Sequence, residues 1–219
     1  MAKAFYNALG KWSGKVGANV YSKLFGNQII RERTKGSNPN TEEQKMVRAK
    51  LAFVSQLGGV MDPAVSLGMK KAAKRERMFP QNLFSKENYG NLQGTAPDNL
   101  SIDPSKIVLS KGNMTGVVFS SSLGTSTPGT LTVSVSDINA GIGKASSEDS
   151  IYAVVYCPDA KAAVLSAAAR RTDGATLSVR YPTSWSGLEV HVYGFVVGGS
   201  RKYNGVASTS EYVGHAELG

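Results

Sequence analysis

Residues 130–135 have the sequence Thr130-Leu131-Thr132-Val133-Ser134-Val135, in which hydroxyl and aliphatic side chains alternate strictly. Successive side chains of a β-strand point to opposite faces of its sheet, so this alternation predicts a strand with one buried and one solvated face. The turn-forming dipeptide Pro128-Gly129 directly precedes the stretch. Antiparallel sheets often keep one face in water, so the stretch favours an antiparallel sheet.

Short β-prone runs of this kind recur from residue 105 to the end of the chain. Besides 130–135, the predicted strands are 107–110, 115–119, 151–156, 162–166, 175–180, 188–195 and a last one near 208–213. Turn signals separate several of them, as at Pro158-Asp159 and Gly198-Gly199. A series of about eight short strands at this spacing indicates an antiparallel β-sandwich of immunoglobulin or fibronectin type.

A β-hairpin is predicted near the start of the chain, with strands at 20–25 and 28–33. The dipeptide Gly26-Asn27 lies between them and suits a two-residue turn, because both residues tolerate positive φ. The second strand carries Arg31 and Arg33 and is followed by Lys35. These three cations end the hairpin with a cluster of positive charge.

Two helices are predicted after the hairpin. Thr41 and Gln44 have the spacing of a capping box, which indicates a helix start. Apolar side chains then recur at helical spacing before Gly58-Gly59, which we expect to close the helix; they are Val47, Leu51, Val54 and Leu57. Asp62 and Pro63 suit the N-cap and first position of a second helix, predicted to run toward Pro80.

Charge divides the chain into two parts. Residues 1–90 hold 16 Lys+Arg against 6 Asp+Glu, whereas residues 91–219 hold 9 Lys+Arg against 10 Asp+Glu. We therefore predict an α+β or mainly β protein with a basic arm, hairpin and helical region at 1–90, a linker at 91–104 and an immunoglobulin-like β-sandwich at 105–219. Such asymmetry points to an acidic partner.

Length and composition exclude several classes of protein. The chain has 219 residues, is 41% hydrophobic and 19% charged, and shows no collagen or heptad period. Cys157 is its single cysteine, so neither an internal disulfide nor a multi-cysteine metal site can form. We see no signal peptide and no apolar run long enough to cross a bilayer, and we expect a protein that is cytoplasmic when synthesised.

The densest basic run lies at the end of the second predicted helix. Five cations there, together with the three of the hairpin, are the predicted contacts to nucleic acid or an acidic partner: Lys70, Lys71, Lys74, Arg75, Arg77, Arg31, Arg33 and Lys35. The alternative is a solvated helix face that only aids solubility. Aromatic residues nearby offer stacking surfaces for bases, although large rings more often lie in the core; they are Trp12, Tyr21, Phe79, Phe84 and Tyr89.

No residue pattern identifies a reaction. The segment 141–146 resembles a phosphate-binding loop but has Ala145 where the motif needs Ser or Thr, and Ile138 where it needs Gly. His191 and His215 are far apart in sequence and lack cysteine partners, which makes a zinc site a poor hypothesis. We therefore predict no catalytic residue, no metal and no cofactor.

The sequence resembles a family of proteins of unknown function, the one numbered 6266, which is found in Bacteroidota and their mobile elements. The resemblance rests on 13–17, Ile30-Arg31, 38–41, Gln44 and 48–53, and then on 154–156, Pro158, Arg170-Arg171, Ser186-Gly187 and 190–193. Glu42 stands where the family often has proline. The resemblance implies a bacterial or phage origin and a two-part architecture, and it implies no catalytic residue.

Three functional hypotheses remain open. The leading one is a non-enzymatic structural or assembly protein, such as a phage virion component, whose basic region contacts nucleic acid or an acidic neighbouring subunit. It predicts homo-oligomers or assembly with other structural proteins, because an open hairpin edge invites pairing. The second is a soluble nucleic-acid-binding module. The weakest is a glycan- or surface-binding module that uses loops at one end of the sandwich, which rests on fold analogy.

Overall fold

A computed structural model describes residues 2–4, 13–34, 36, 40–139, 142–172 and 176–219. The chain divides into two compact units, Met1–Thr41 and Glu42–Gly219. Antiparallel sheets predominate and a few helices accompany them, so the fold class is α+β. Within the described ranges, no helix is long and apolar enough to span a bilayer.

The first unit is a four-stranded antiparallel sheet in the order β1-β4-β3-β2. Its strands are β1 (Ala2–Ala4), β2 (Gly14–Val16), β3 (Asn19–Leu24) and β4 (Asn27–Glu32). The predicted hairpin is present as β3 and β4, but its turn is formed by Phe25 and Gly26, and Leu24 pairs with Asn27. The prediction placed this turn one residue too late, because Phe25 (φ 47°) and not Asn27 takes the positive φ next to Gly26 (φ 84°).

The helices lie at the start of the second unit. They are α1 (Glu42–Val60), α2 (Asp62–Gly68), α3 (Lys70–Arg75) and α4 (Pro80–Tyr89). Helix α1 begins directly after Thr41, but it continues through Gly58 and Gly59, where the prediction ended it. A Cβ at Gly58 would lie 2.9 Å from Cδ1 of Phe84 on α4, so this glycine permits close packing of the two helices.

The second predicted helix is broken in two at Met69. The backbone N–H of Lys111 donates to the carbonyl of Gly68 at the break, and a Cβ at Gly68 would lie 2.4 Å from Cβ of Ser110. Helix α2 therefore ends where another segment of the chain crosses it. Asp62 is the first residue of α2 and Met61 is its N-cap; the Asp62 carboxylate accepts hydrogen bonds from Ser66 and Gln81.

The remaining strands form a five-stranded sheet, a three-stranded sheet and a small two-stranded ladder. They are β5 (Leu92–Gln93), β6 (Ser101–Ile102), β7 (Val118–Thr127), β8 (Thr130–Asp137), β9 (Ser150–Cys157), β10 (Ala162–Leu165), β11 (Ala169–Arg170), β12 (Thr176–Arg180), β13 (Glu189–Val197) and β14 (Glu211–Glu217). The larger sheet has the order β10-β9-β13-β14 with β11 also on β9, and the smaller has the order β12-β8-β7.

The first core of this unit lies between the two larger sheets. Leu131, Val133 and Val135 of β8 are buried in it, and the hydroxyl residues between them remain partly exposed, as the alternation predicted. Cys157 of β9 and Trp185 are also buried in this core, at 0% and 3% exposure. The two sheets therefore face each other across a continuous apolar layer.

The second core lies between the other face of the five-stranded sheet and the helices. Val154, Tyr193 and Phe195 from the sheet pack there with Met69 and Phe84 from the helical region. The sheet is thus buried on both faces, which explains why β9 and β13 are nearly continuous apolar runs. The predicted linker at 91–104 lies inside this second unit, because the helices before it share a core with the strands after it.

One predicted strand is absent. Residues 107–110 are largely buried but belong to no sheet. The Asn88 side chain accepts from the N–H of Val108 at 2.8 Å and donates to its carbonyl at 2.9 Å. The N–H of Leu109 donates to Ser210 Oγ at 2.9 Å. Side chains satisfy this backbone in place of a neighbouring strand. The strand predicted at 115–119 likewise begins only at Val118.

Candidate anion-binding surface

Five predicted site residues are brought together by the short helix α3 and the turn after it. Met69 and Ala73, which are separated by one helical turn, are both fully buried and anchor this helix to the core. Their burial turns the lysines and arginines of the helix toward solvent. We call this group the α3 cation cluster; its members, all exposed, are Lys70, Lys71, Lys74, Arg75 and Arg77.

The acidic residues near α3 are already paired with other cations. Glu76 accepts a hydrogen bond from Lys86 Nζ at 2.5 Å and lies 3.9 Å from Lys111 Nζ, which itself pairs with Glu87 at 2.7 Å. The hydrogen bond from Lys86 lowers the pKa of the Glu76 carboxyl. Glu76 is therefore ionised at neutral pH, and Lys86 and Lys111 balance its charge.

Among the carboxylates that the structure describes, the α3 cation cluster has no partner. Within the ranges that the structure describes, none of its five members forms a salt bridge. Exposed cations at this density repel one another, and an anion bound among them would relieve that repulsion. The arrangement is therefore suited to binding a polyanion.

The three hairpin cations belong to the other unit of the chain. Arg31 is the fifth residue of β4 and is exposed. Arg33 is also exposed, and its backbone N–H donates to the carbonyl of Ala18 at 2.7 Å. Lys35 lies outside the described residues. The structure therefore assembles five of the eight predicted contacts on one surface, and Arg31 and Arg33 lie on a separate unit.

The aromatic residues proposed for stacking occupy different environments. Phe84 is fully buried in the second core, as expected for a large ring. Tyr89 is partly buried, and Lys50 Nζ lies 5.9 Å from its ring centroid. Phe79 is 56% exposed at the start of α4. Tyr21 lies on β3 in the first unit, and Trp12 lies outside the described residues.

An aromatic residue that the sequence did not single out lies beside the α3 cation cluster. A Cβ at Gly205 would lie 3.2 Å from Cε of Lys71, so the Lys71 side chain lies against the turn 200–205. Tyr203 in this turn has two lysines at its ring: Lys144 Nζ is 5.6 Å and Lys202 Nζ is 5.2 Å from the centroid. Lys71 and Lys144 are far from Tyr203 in sequence, so no local pattern could have linked them to this ring.

A second polar feature lies on β13 and β14. His191 pairs directly with His215, and Glu189 pairs with Glu217 on the next rung on the same face. Three of these four residues line a shallow depression of about 510 Å³, namely Glu189, His215 and Glu217. The two histidines, predicted to be isolated, are thus neighbours, with ring centroids 6.4 Å apart.

The chemistry available at this depression is limited. His191 Nδ1 lies 3.1 Å from the Tyr212 hydroxyl, and burial lowers the pKa of the His191 imidazole. Among the described residues, no group of three His, Cys, Asp or Glu side chains is placed to hold a metal ion. Cys157, the single thiol of the chain, is fully buried in the first core and does not reach this surface.

The comparisons with known proteins give one match. Residues 10–214 match the model of a family described as "Family of unknown function (DUF6266)". The match extends over both units of the chain, from the first β-sheet to β14. No curated protein and no solved structure matches the chain.

Proposed function

We propose a function for this chain, which belongs to the family of unknown function DUF6266, from its own surface. The protein is a non-enzymatic structural or assembly protein that contacts nucleic acid or an acidic neighbouring subunit through the α3 cation cluster. A phage virion component is the form of this role that we favour. The observation that carries the proposal is a cluster of five exposed cations whose nearby carboxylates, Glu76 and Glu87, are paired elsewhere.

We also propose that the sandwich is of the immunoglobulin or fibronectin type. The strand orders β12-β8-β7 and β10-β9-β13-β14 support this. Labelled A to G in chain order, the seven strands β7, β8, β9, β10, β12, β13 and β14 place A, B and E in one sheet and C, F and G in the other, as in such sandwiches. The fourth strand, β10, pairs with β9 on the C-F-G sheet. Proteins with this architecture often serve as scaffolds, and the architecture by itself assigns no ligand.

Self-association is the part of the proposal that the first unit supports. Its sheet ends in two strands of three residues each, β1 and β2. Edge strands present backbone groups that can pair with another chain, and the three-residue length of β1 and β2 restricts such pairing to a few hydrogen bonds. We expect light scattering on a sizing column to give a mass of two or more chains, and a strictly monomeric protein at high concentration would contradict the assembly role.

The salt dependence of binding tests the role of the α3 cation cluster. We expect the affinity for duplex DNA to fall linearly with salt on a double-logarithmic plot, because each phosphate contact releases counterions. The double variant Lys71→Ala/Lys74→Ala removes two such contacts and should lower the slope by about 2.

The matched control removes two lysines that already have carboxylate partners. Lys45 pairs with Glu42 at 2.7 Å, and Lys106 lies 3.8 Å from Asp103. The variant Lys45→Ala/Lys106→Ala has the same net charge as the test variant and should keep the wild-type slope. Equal slopes in all three proteins would contradict the proposal for α3, and no binding at low salt would exclude nucleic acid as the partner.

The alternative function is a soluble nucleic-acid-binding module without an assembly role. The same α3 cation cluster supports it. Two measurements together separate the alternatives: a monomer that binds DNA favours the module, and an oligomer favours the assembly protein. The glycan-binding hypothesis has no described residue in its favour beyond the architecture.

A further inference from the structure

The tyrosine of the turn 200–205 has lysines from two different loops within about 6 Å of its ring centroid. Lys144 belongs to the loop between β8 and β9, and Lys202 belongs to the turn after β13. Their ammonium groups lie 5.6 Å and 5.2 Å from the Tyr203 ring centroid. We call Lys144, Lys202 and Tyr203 the tyrosine–lysine cluster. Two cations at one ring repel each other, and the ring alone compensates only part of that repulsion.

A buried ion pair holds both loops in place. Asp149 and Arg171 are 0% and 2% exposed at their side chains, with Arg171 Nε 3.3 Å from Asp149 Oδ2. Asp149 Oδ2 accepts from the N–H of Ser146 at 2.8 Å, in the loop that carries Lys144. Asp149 Oδ1 accepts from the N–H of Gly199 at 3.1 Å, where the turn of Tyr203 starts.

The guanidinium of Arg171 binds further backbone in the same region. Its Nη2 donates to the carbonyl of Thr115 at 2.5 Å, and its Nη1 donates to the carbonyl of Ile138. The Thr115 hydroxyl in turn accepts from the N–H of Lys144 at 3.0 Å. The backbone that carries Lys144 is therefore fixed from two sides, which lowers the cost of ordering this loop when a ligand binds.

The tyrosine–lysine cluster is continuous with the α3 cation cluster. The Lys71 side chain lies against Gly205, two residues after Tyr203. Gly205 has a φ of 71°, and its missing side chain leaves room for the Lys71 stem. Arg201 is exposed on the same turn. The positive surface thus extends from the helices to loops of the β-sheet half, which is nearly neutral as a whole.

We propose that the tyrosine–lysine cluster and Lys71 together bind single-stranded nucleic acid, with phosphates at the lysines and a base against the Tyr203 ring. This proposal rests on the proposed function and specifies its partner. Aromatic rings interleaved with cations are how proteins bind single strands without reading sequence. An acidic peptide would use the lysines but would gain nothing from the ring. A duplex stacks its bases on each other, so it would leave the ring unused as well.

The test measures binding of a fluorescein-labelled oligothymidylate to the full-length protein by anisotropy across a salt series. The variant Lys144→Ala/Lys202→Ala should reduce the salt slope by about 1.4, because single strands give about 0.7 per phosphate contact. The variant Tyr203→Leu should weaken binding by about tenfold or more and leave the slope unchanged, because it removes a stacking surface and no charge. Tyr203→Phe should retain wild-type affinity.

Controls separate this inference from the proposed function. Lys45→Ala/Lys106→Ala should match the wild type, and thermal melting should show that every variant folds. If the wild type binds and both cluster variants match it, the inference is overturned while the role of α3 stands. If Tyr203→Leu binds normally and polyglutamate competes as well as DNA, the partner is an acidic protein and the inference is again overturned. If the wild type binds no DNA, nucleic acid is excluded for both.

Discussion

Asn88 shows how one buried polar side chain replaces a missing strand. It is fully buried on α4, and its amide donates to the carbonyls of Phe84 and Val108 while its oxygen accepts from the N–H of Val108. An amide side chain has the same donor and acceptor as a peptide group, so it pairs with the backbone as a strand would. Asn88 therefore satisfies both backbone groups of Val108, and Ser210 holds the neighbouring Leu109.

We predict that Asn88→Ala lowers the free energy of unfolding by about 2–4 kcal/mol, because it leaves the N–H and carbonyl of Val108 without partners. Urea denaturation followed by circular dichroism measures this. Asn91→Ala is the control: it removes one exposed hydrogen bond, to the carbonyl of Lys106, and should cost about 1 kcal/mol or less. Equal losses in the two variants would contradict the role assigned to Asn88.

His191 gives the stability a pH dependence of known sign. Burial lowers the pKa of His191, and His215 acts in the same direction, whereas Glu189 and Asp103 oppose it. The unfolded chain therefore binds a proton more readily than the folded one, so stability falls as the pH drops below about 6.5. We predict that His191→Gln, which can still bond to Tyr212, flattens this fall. Melting temperatures between pH 8 and pH 5 measure it, and parallel curves would refute it.

At the scale of elements, α1 shows why glycines in a helix need their surroundings to be interpreted. Gly58-Gly59 is a normal helix-ending signal, yet α1 continues to Val60. The pair consists of one residue in a tight contact and one in open space, since a Cβ at Gly59 would meet nothing within 4 Å. The sequence could not distinguish these two environments, because they depend on where α4 packs.

The two glycines make a matched pair of variants. We predict that Gly58→Ala destabilises the protein by about 1–3 kcal/mol, because its Cβ would lie 2.5 Å from Gln81 Oε1 and 2.9 Å from the Phe84 ring. Gly59→Ala should stabilise it by up to about 1 kcal/mol through higher helix propensity. Chemical denaturation of both variants measures the difference, and shifts of the same sign would show that the helix contact is wrongly described.

The strands were easier to predict than the helices. The run 130–135 alternates between a buried and a solvated face, so its sequence predicts both the strand and its buried side. Strand β8 (Thr130–Asp137) begins at the predicted residue and shows this alternation. The segment 107–110 is a short continuous apolar run, which also favours a strand, but it is buried against helices and its backbone is bonded by side chains. A pattern of burial predicts that a segment lies in the core, and it does not predict which groups satisfy its backbone.

At the site as well, the contacts that the sequence could not predict are those between distant elements. The α3 cation cluster lies within eight residues of sequence, so its charge density could be seen directly. Tyr203 and Lys144 come together through loops that Asp149 binds at Ser146 and Gly199. His191 and His215 meet only through the register of β13 and β14. Each of these contacts depends on tertiary structure that a single sequence does not encode locally.

At the scale of the whole molecule, truncation can compare two domain boundaries. The structure places a boundary after Thr41, and the charge pattern predicts one after residue 90. Both cores of the second unit are built from described residues after position 41. We predict that a chain of residues 42–219 folds and melts cooperatively. A chain of residues 91–219 should not, because it would expose Val154, Tyr193 and Phe195, which the helices cover. Circular dichroism melting compares the two, and a stable 91–219 fragment would support the boundary predicted from charge.

The part of the charge asymmetry that comes from α3 lies in a folded layer of the second unit. The basic residues of α3 belong to a helical layer that packs on the five-stranded sheet, and they are not part of a separate arm. Net charge by segment located the cations correctly but could not show that the helices share a core with the strands. Hydrophobic contacts across the predicted linker decide the architecture.

The burial of Cys157 between the sheets has a practical consequence. A reagent that modifies thiols can reach this sulfur only when β9 separates from its surroundings, since the side chain is fully covered in the folded protein. Because the chain has a single cysteine, the rate of labelling under native conditions measures how often the two sheets open. Mass spectrometry follows this rate without any introduced probe. The labelling rate of Cys157 in each variant described above can be compared with that of the wild type in the same reaction mixture.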